Sequence, residues 1–140
     1  MVLNATFHIQ CTVDVMFKWF DQGWDHLLYL PELVKSMQHT AKQFNHSSWA
    51  LIDDVRGWPV RTPEDIAISK QNLATMQSLG MTHCAVCVND IALAKWIMQK
   101  IMAKGVKLAF FHSIDACKNW LKEQGFNPEF DAEDKHETTF

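Results

Sequence analysis

The sequence is poor in cysteine and contains no long apolar run. Its four cysteines, Cys11, Cys84, Cys87 and Cys117, are few for a chain of 140 residues. A disulfide framework is therefore not needed for stability, and reduced thiols are expected. No stretch approaches the roughly 20 apolar residues of a membrane-spanning helix, and the first ten residues lack the charged and apolar regions of a signal peptide. A cytoplasmic location without a transmembrane segment is expected.

Positive charge is also scarce. The chain has 13 Lys and Arg against 16 Asp and Glu, a formal net charge of -3, and its basic residues form no block. Nucleic-acid binding needs a concentrated positive surface, so this class of partner is excluded. The catalytic patterns G-x-S-x-G, H-E-x-x-H and the glycine-rich phosphate loop are missing, and the histidines are not spaced for zinc. We predict no enzyme activity, metal or cofactor; a small hydrolase is the disfavoured alternative.

The residues that are present alternate between two periodicities. Residues 7–14 alternate apolar and polar side chains, and Val15, Phe17 and Trp19 continue the alternation, which is typical of half-buried strands. One strand over this whole length would be exceptionally long, so a hairpin with a tight turn within residues 10–14 is favoured over a single strand. Apolar residues then recur at helical spacing from Leu30 to Phe44, with Pro31 in the first turn and residues 25–30 as a separate turn or a kinked lead-in.

Three apolar runs, 49–55, 83–88 and 107–111, are each followed by a helix start at Thr62, Asp90, and Ser113 or its neighbour His112. This predicts an α/β single domain: an N-terminal β-hairpin followed by alternating helices and parallel strands, in a five-stranded mixed sheet with about four helices. Residues 1–126 form the domain, and residues 127–140 form a polar C-terminal tail. The CxxC pair lies within a strand, where residues three apart face opposite sides, so a shared zinc or redox site is not expected.

Two segments carry a family resemblance. WALIDDVRGW at 49–58 followed by TPED, and KLAFFHSIDACKNWL at 107–121, resemble the SpoIIAA-like branch of the STAS fold, named after sulphate transporters and anti-sigma-factor antagonists. The resemblance covers residues 5 to 125. It implies a small bacterial regulatory domain that binds partner proteins, as a homodimer or within a complex. The antagonists are switched by phosphorylation of a serine at a helix start, and here Thr62 is the only hydroxyl at that place. The helix dipole and both arginines would favour a phosphate on Thr62, whereas Glu64 and Asp65 would repel it.

The element order is also similar to the Sec14-type lipid-binding fold. This implies an alternative function, carriage of a lipid or other apolar small molecule. Trp96 lies in the third helix with Lys95, Lys100 and Lys104. A core position for Trp96 is favoured over a surface that faces a partner or an anionic membrane.

Ligands of open α/β sheets bind outside the carboxyl ends of the strands. The loops there contribute Asp54, Arg56, Trp58, Arg61, Thr62, Asp90, His112 and Ser113. One interpretation is that the hydroxyls and carboxylates cap helices while the arginines pair with neighbouring acids. The other is that both arginines attract an anionic ligand or a partner's carboxylate, with Trp58 as an exposed anchor. No catalytic residue is assigned, because capping already explains Ser113 and its neighbours.

Overall fold

The structure, a computed structural model, describes residues 6–56 and 62–130, except the side chains of residues 26–28. Its elements follow one another as β1 (Phe7–Cys11), β2 (Val15–Phe20), α1 (His26–Lys42), β3 (Trp49–Asp54), α2 (Pro63–Ser78), β4 (Met81–Cys87), α3 (Ile91–Ile101), β5 (Lys107–Phe111) and α4 (Ile114–Glu123). In these residues no helix is both long and apolar enough to cross a lipid bilayer.

The five described strands form one mixed sheet, as the sequence predicts, and they lie in the order β1-β2-β3-β4-β5. The β1 and β2 strands are antiparallel, and all other neighbouring pairs are parallel. The predicted hairpin is confirmed: Thr12 Oγ1 accepts hydrogen bonds from the backbone N–H groups of Asp14 and Val15, which closes the turn without glycine or proline.

In the described part of the chain, three helices cover one face of the sheet and one helix covers the other. Because the spatial order of the strands equals their order in the chain, every crossover advances in the same direction and places its helix on the same side. Side chains of α1, α2 and α3 pack with the first face, whose strand residues include Met16, Leu51 and Val86. Cys117 and Leu121 of α4 pack with the second face. Cys84 faces the first layer and Cys87 the second, which confirms that the CxxC sulfurs diverge.

The prediction of a half-buried β2 is wrong. All six residues of β2 are buried, because this strand lies between β1 and β3 with helices packed on the sheet. Lys18, which the alternation assigns to a solvent-facing position, is only 6% exposed.

The position of Pro31 also differs from the prediction. Helix α1 begins at His26, so Pro31 lies in its interior. The bond from the N–H of Tyr29 to the carbonyl of Asp25 shows that helical geometry precedes the proline. Pro31 is exposed, while Leu30 and Leu33 are buried. The helix loses one backbone hydrogen bond at Pro31, and the burial of its apolar side offsets that loss.

Part of the segment predicted as a tail lies against the domain. Asn127 donates its backbone N–H to Asp14 and accepts from Thr12 Oγ1 at 2.7 Å. The ring of Phe130 lies 5.4 Å from that of Phe17. Residues 127–130 therefore cover the second face beside α4, and residues 131–140 are outside the described part of the chain.

Candidate functional site

The carboxyl edge of the sheet contains a crevice between β4 and β5. The loop after β4 leads to α3 on the first face, whereas the loop after β5 leads to α4 on the second face. Neighbouring loops that diverge in this way form the crevice in which open α/β sheets bind ligands. The sequence predicts a site at this edge without locating the crevice, because that requires knowing which face each helix covers.

Asp54 and Arg56 form a fixed ion pair beside this crevice. Arg56 Nε and Nη2 donate to the two carboxylate oxygens of Asp54 at 2.9 and 2.8 Å, and the Arg56 backbone N–H also donates to Asp54. This hydrogen bonding raises the pKa of Arg56 above its usual value. The Arg56 side chain is 39% exposed, and its Nη1 has no partner among the described residues. The pair therefore orients the guanidinium and leaves its outer edge free to donate.

Three of the predicted site residues act as helix caps. Thr62 accepts from the N–H of Asp65 at the start of α2. Asp90 accepts from Leu93 at the start of α3, and Ser113 accepts from Ala116 at the start of α4. Each bond satisfies one of the free N–H groups of a first helical turn and is worth about 1 kcal/mol. These oxygen atoms are thus engaged in stabilising the fold.

His112 bridges the crevice itself. Its Nδ1 lies 3.2 Å from the carbonyl oxygen of Val88, which can only accept, so Nδ1 carries the proton. The ring is exposed, and in the neutral form Nε2 is left as an acceptor. Asn89 in the opposite loop donates to the carbonyl of Arg56 at 3.5 Å. Arg56, Asn89 and His112 therefore come from three loops to one edge of the sheet.

Trp58 and Arg61 lie outside the described residues, so their predicted contributions stay predictions. Within residues 6–56 and 62–130, no group of three His, Cys, Asp or Glu side chains is placed to hold a metal ion.

Two buried thiols lie on the second face near Asp54. Cys87 and Cys117 have no exposed surface. A hydrogen bond between them lowers the pKa of Cys87 and raises that of Cys117. Because reagents cannot reach buried sulfur, this pair packs the α4 interface and does not offer an accessible nucleophile.

A buried ion pair is the site feature that the sequence interpretation missed. Lys18 Nζ lies 2.9 Å from Asp53 Oδ1, and the two side chains are 7% and 5% exposed. They line a cavity of about 20 Å³ between the sheet and α1, α2 and α3. Asn72 lines the same cavity, is 7% exposed, and its Oδ1 lacks a hydrogen-bond partner in the described part of the chain. Such a volume accommodates about one water-sized group. Oppositely charged residues in two apolar runs, VMFKWF and WALIDD, are the signal that could have found the pair.

Comparison of the chain with protein-family models, with curated proteins and with solved structures finds no match in any of the three.

Proposed function

We propose that this chain is a binding module without chemistry of its own, which recognises an anionic group at the carboxyl edge of β3, β4 and β5. The group is a carboxylate or phosphate of a protein partner or of a small ligand. A regulatory role in the cytoplasm, as a homodimer or within a protein complex, belongs to the same proposal. The resemblance to SpoIIAA-like STAS domains supports it, because members of that group act by binding partner proteins.

The geometry of Arg56 carries the proposal. Asp54 holds Nε and Nη2, so the side chain is already ordered before a ligand arrives, and the side chain is 39% exposed. An oriented guanidinium loses little conformational freedom on binding and matches the planar geometry of carboxylate and phosphate. Asp54 also neutralises much of the positive charge. The expected affinity for a free simple anion is therefore weak, on the order of 1 mM.

The test is a titration of isotope-labelled protein with sodium phosphate and with acetate, monitored by NMR. The Arg56 Nε signal and the amides of residues 54–56 and 89–90 are expected to shift and saturate. Arg56→Gln should weaken anion binding about tenfold or more. Arg56→Lys should retain part of the affinity, because the positive charge remains while the planar pair of guanidinium N–H donors is lost. Lys122→Gln is the matched control, since it removes the cation of an exposed ion pair between Lys122 of α4 and Glu129, away from the crevice. Equal titration of wild type and Arg56→Gln would contradict the proposal.

A groove between β1 and α1 favours a second candidate function, carriage of an amphiphilic molecule. The groove measures about 530 Å³ and is lined by Phe7, Ile9, Lys35, Ser36, His39 and Thr40. This volume is within the range of small-molecule sites, whereas the cavity beside Lys18 is far too small for an acyl chain. Apolar side chains from β1 and polar ones from α1 suit a ligand with an apolar body and an anionic head.

Native mass spectrometry after gentle extraction tests this second candidate. A carrier is expected to retain added mass, and Lys35→Glu should release an anionic ligand while Lys42→Glu, at the end of α1, should not. If the mass measured for the wild-type protein equals the mass of its chain alone, the protein carries no retained ligand and the second candidate function is ruled out.

A further inference from the structure

The outer face of α3 exposes two large apolar side chains. Leu93 is 55% exposed and Trp96 is 60% exposed. Because they are three residues apart, they lie next to each other on the helix surface. The inner side of α3 is already packed, since Met98 and Ile101 are buried against the first face of the sheet. The predicted core position of Trp96 is therefore wrong: core contacts occupy one side of the helix, and Trp96 lies on the other.

The segment around this face is locally basic. Lys100 lies four residues after Trp96 and shares its face, Lys95 lies at the flank of the face, and Lys104 lies in the turn after α3. All three lysines are exposed, and no Asp or Glu occurs from residue 91 to residue 107. The ammonium group of Lys100 lies 3.6 Å from the centroid of the Trp96 ring. The nearest acid along the chain, Asp90, caps the helix through the N–H of Leu93. A chain with a net charge of -3 thus carries a positive, apolar helix face, and this segregation of charge indicates an anionic partner.

We propose that this α3 face, formed by Leu93, Trp96 and Lys100, with Lys95 at its flank and Lys104 in the turn after the helix, docks onto membranes that contain anionic phospholipids. The indole and the leucine side chain enter the headgroup region, and the lysine ammonium groups contact lipid phosphates. Lysine stems also extend along an apolar surface while their charges stay in water, as Lys100 does over Trp96.

A lipid surface explains this face better than a protein partner does. Tryptophan is common in both kinds of interface, but lysine is depleted from protein–protein interfaces. Basic helices with tryptophan and leucine exposed are typical of segments that lie in the plane of a membrane surface. The acidic remainder of the chain does not prevent this, because at physiological ionic strength charges act over only about 8 Å.

Docking through the α3 face is independent of anion recognition by Arg56. The α3 face points away from the sheet, whereas the crevice opens along the strand direction beyond the carboxyl edge. Arg56→Gln is therefore expected to weaken anion recognition and to leave membrane docking unchanged, so that failure of one proposal can be distinguished from failure of the other.

The experiment is co-sedimentation of the full chain with vesicles of phosphatidylcholine alone and of phosphatidylcholine with phosphatidylglycerol. Binding is expected only with phosphatidylglycerol and should weaken with added salt. Trp96→Ala should reduce partitioning about tenfold or more, and each of Lys95→Gln, Lys100→Gln and Lys104→Gln about fivefold. Quenching of tryptophan emission by brominated lipid should be lost largely in Trp96→Phe.

Two control variants match these substitutions. Val13→Ser removes an apolar side chain that is 80% exposed in the hairpin turn, and Lys122→Gln removes a lysine of α4 on the second face. Both should bind vesicles like wild type. Equal binding to neutral and anionic vesicles, or full binding by Trp96→Ala, overturns the proposal. So does an Arg56→Gln variant that loses vesicle binding as completely as Trp96→Ala. Absence of vesicle binding together with self-association that depends on Trp96 would assign the face to a protein partner instead.

Discussion

The buried Lys18–Asp53 pair gives the sharpest prediction about stability. The two atoms Nζ and Oδ1 are 2.9 Å apart, and both side chains are almost fully removed from solvent. At an effective dielectric constant of about 20, two charges about 4 Å apart attract by about 4 kcal/mol. The desolvation of both ions opposes this attraction, so the pair as a whole contributes little net stability.

Removal of one partner has a much larger effect than the pair's net contribution. In Lys18→Met the Asp53 carboxylate stays buried without its counter-ion, and the free energy of unfolding is expected to fall by about 3–5 kcal/mol. Adding Asp53→Asn removes the unpaired buried charge of the Asp53 carboxylate and keeps the shape of the side chain. The double variant Lys18→Met/Asp53→Asn is therefore expected to be more stable than Lys18→Met by about 1–3 kcal/mol, although it contains one more substitution.

Urea unfolding followed by tryptophan fluorescence measures both effects, provided that the dependence on urea concentration is unchanged among the variants. A loss as large as 5 kcal/mol is comparable to the whole stability of many domains, and the double variant keeps the test meaningful if Lys18→Met does not fold. A loss below about 1 kcal/mol in Lys18→Met, or a second substitution that lowers stability further, would refute the burial of the pair.

Three further predictions concern the backbone, the thiols and pH. Gly80 has φ +112, and a Cβ at this position would lie 2.5 Å from the carbonyl oxygen of Ser47. Gly80→Ala should therefore destabilise the folded protein by about 3 kcal/mol, against about 1 kcal/mol for Gly23→Ala, where a Cβ would meet no atom within 4 Å. Chemical denaturation compares the two variants, and equal losses of stability would contradict the close contact at Gly80. Cys11 is the exposed thiol among the described cysteines. A disulfide reagent should therefore label one thiol rapidly in the folded protein and none in Cys11→Ser. Rapid labelling of Cys11→Ser would contradict the burial of the other three cysteines. Burial lowers the pKa of His83 in the folded protein. The stability that neutral His83 contributes is therefore complete above the unfolded-state pKa of about 6.5 and is lost as pH falls through the folded-state pKa. On acidification wild type should lose stability relative to His83→Phe, and parallel curves of stability against pH for the two proteins would contradict this.

The fold was predictable because the signals that start its helices and separate its strands are local in the sequence. Thr62 and Pro63 start α2, Asp90 starts α3 and Ser113 starts α4, each through a side chain that caps its own first turn. The polar turn after Cys11 separates two strands in the same way. These signals need no knowledge of tertiary structure, so the element order and the fold class followed from them. Membership of the SpoIIAA-like STAS family stays a prediction.

The site was less predictable because it depends on which surfaces are covered. The alternation in VMFKWF is compatible with one buried face or two, and only the strand's place between β1 and β3 makes Lys18 an interior charge. In α3 the helical pattern identifies an apolar side, but Trp96 lies outside it, and nothing local distinguishes an exposed indole from a buried one. The Asp54–Arg56 pair was accessible to sequence reasoning, since the partners are two residues apart.

The order of the strands links the two proposed surfaces. Because β1 to β5 lie in chain order, α1, α2 and α3 form one continuous layer, and α4 alone crosses to the other face. Helix α3 therefore borders the crevice with its first turn and presents Leu93 and Trp96 outward from the layer. A membrane bound to that face would lie parallel to the sheet, and the crevice at Arg56 and His112 would open sideways along the bilayer. Docking and anion recognition are then compatible in one molecule, which suits a module that meets its partner at a membrane surface.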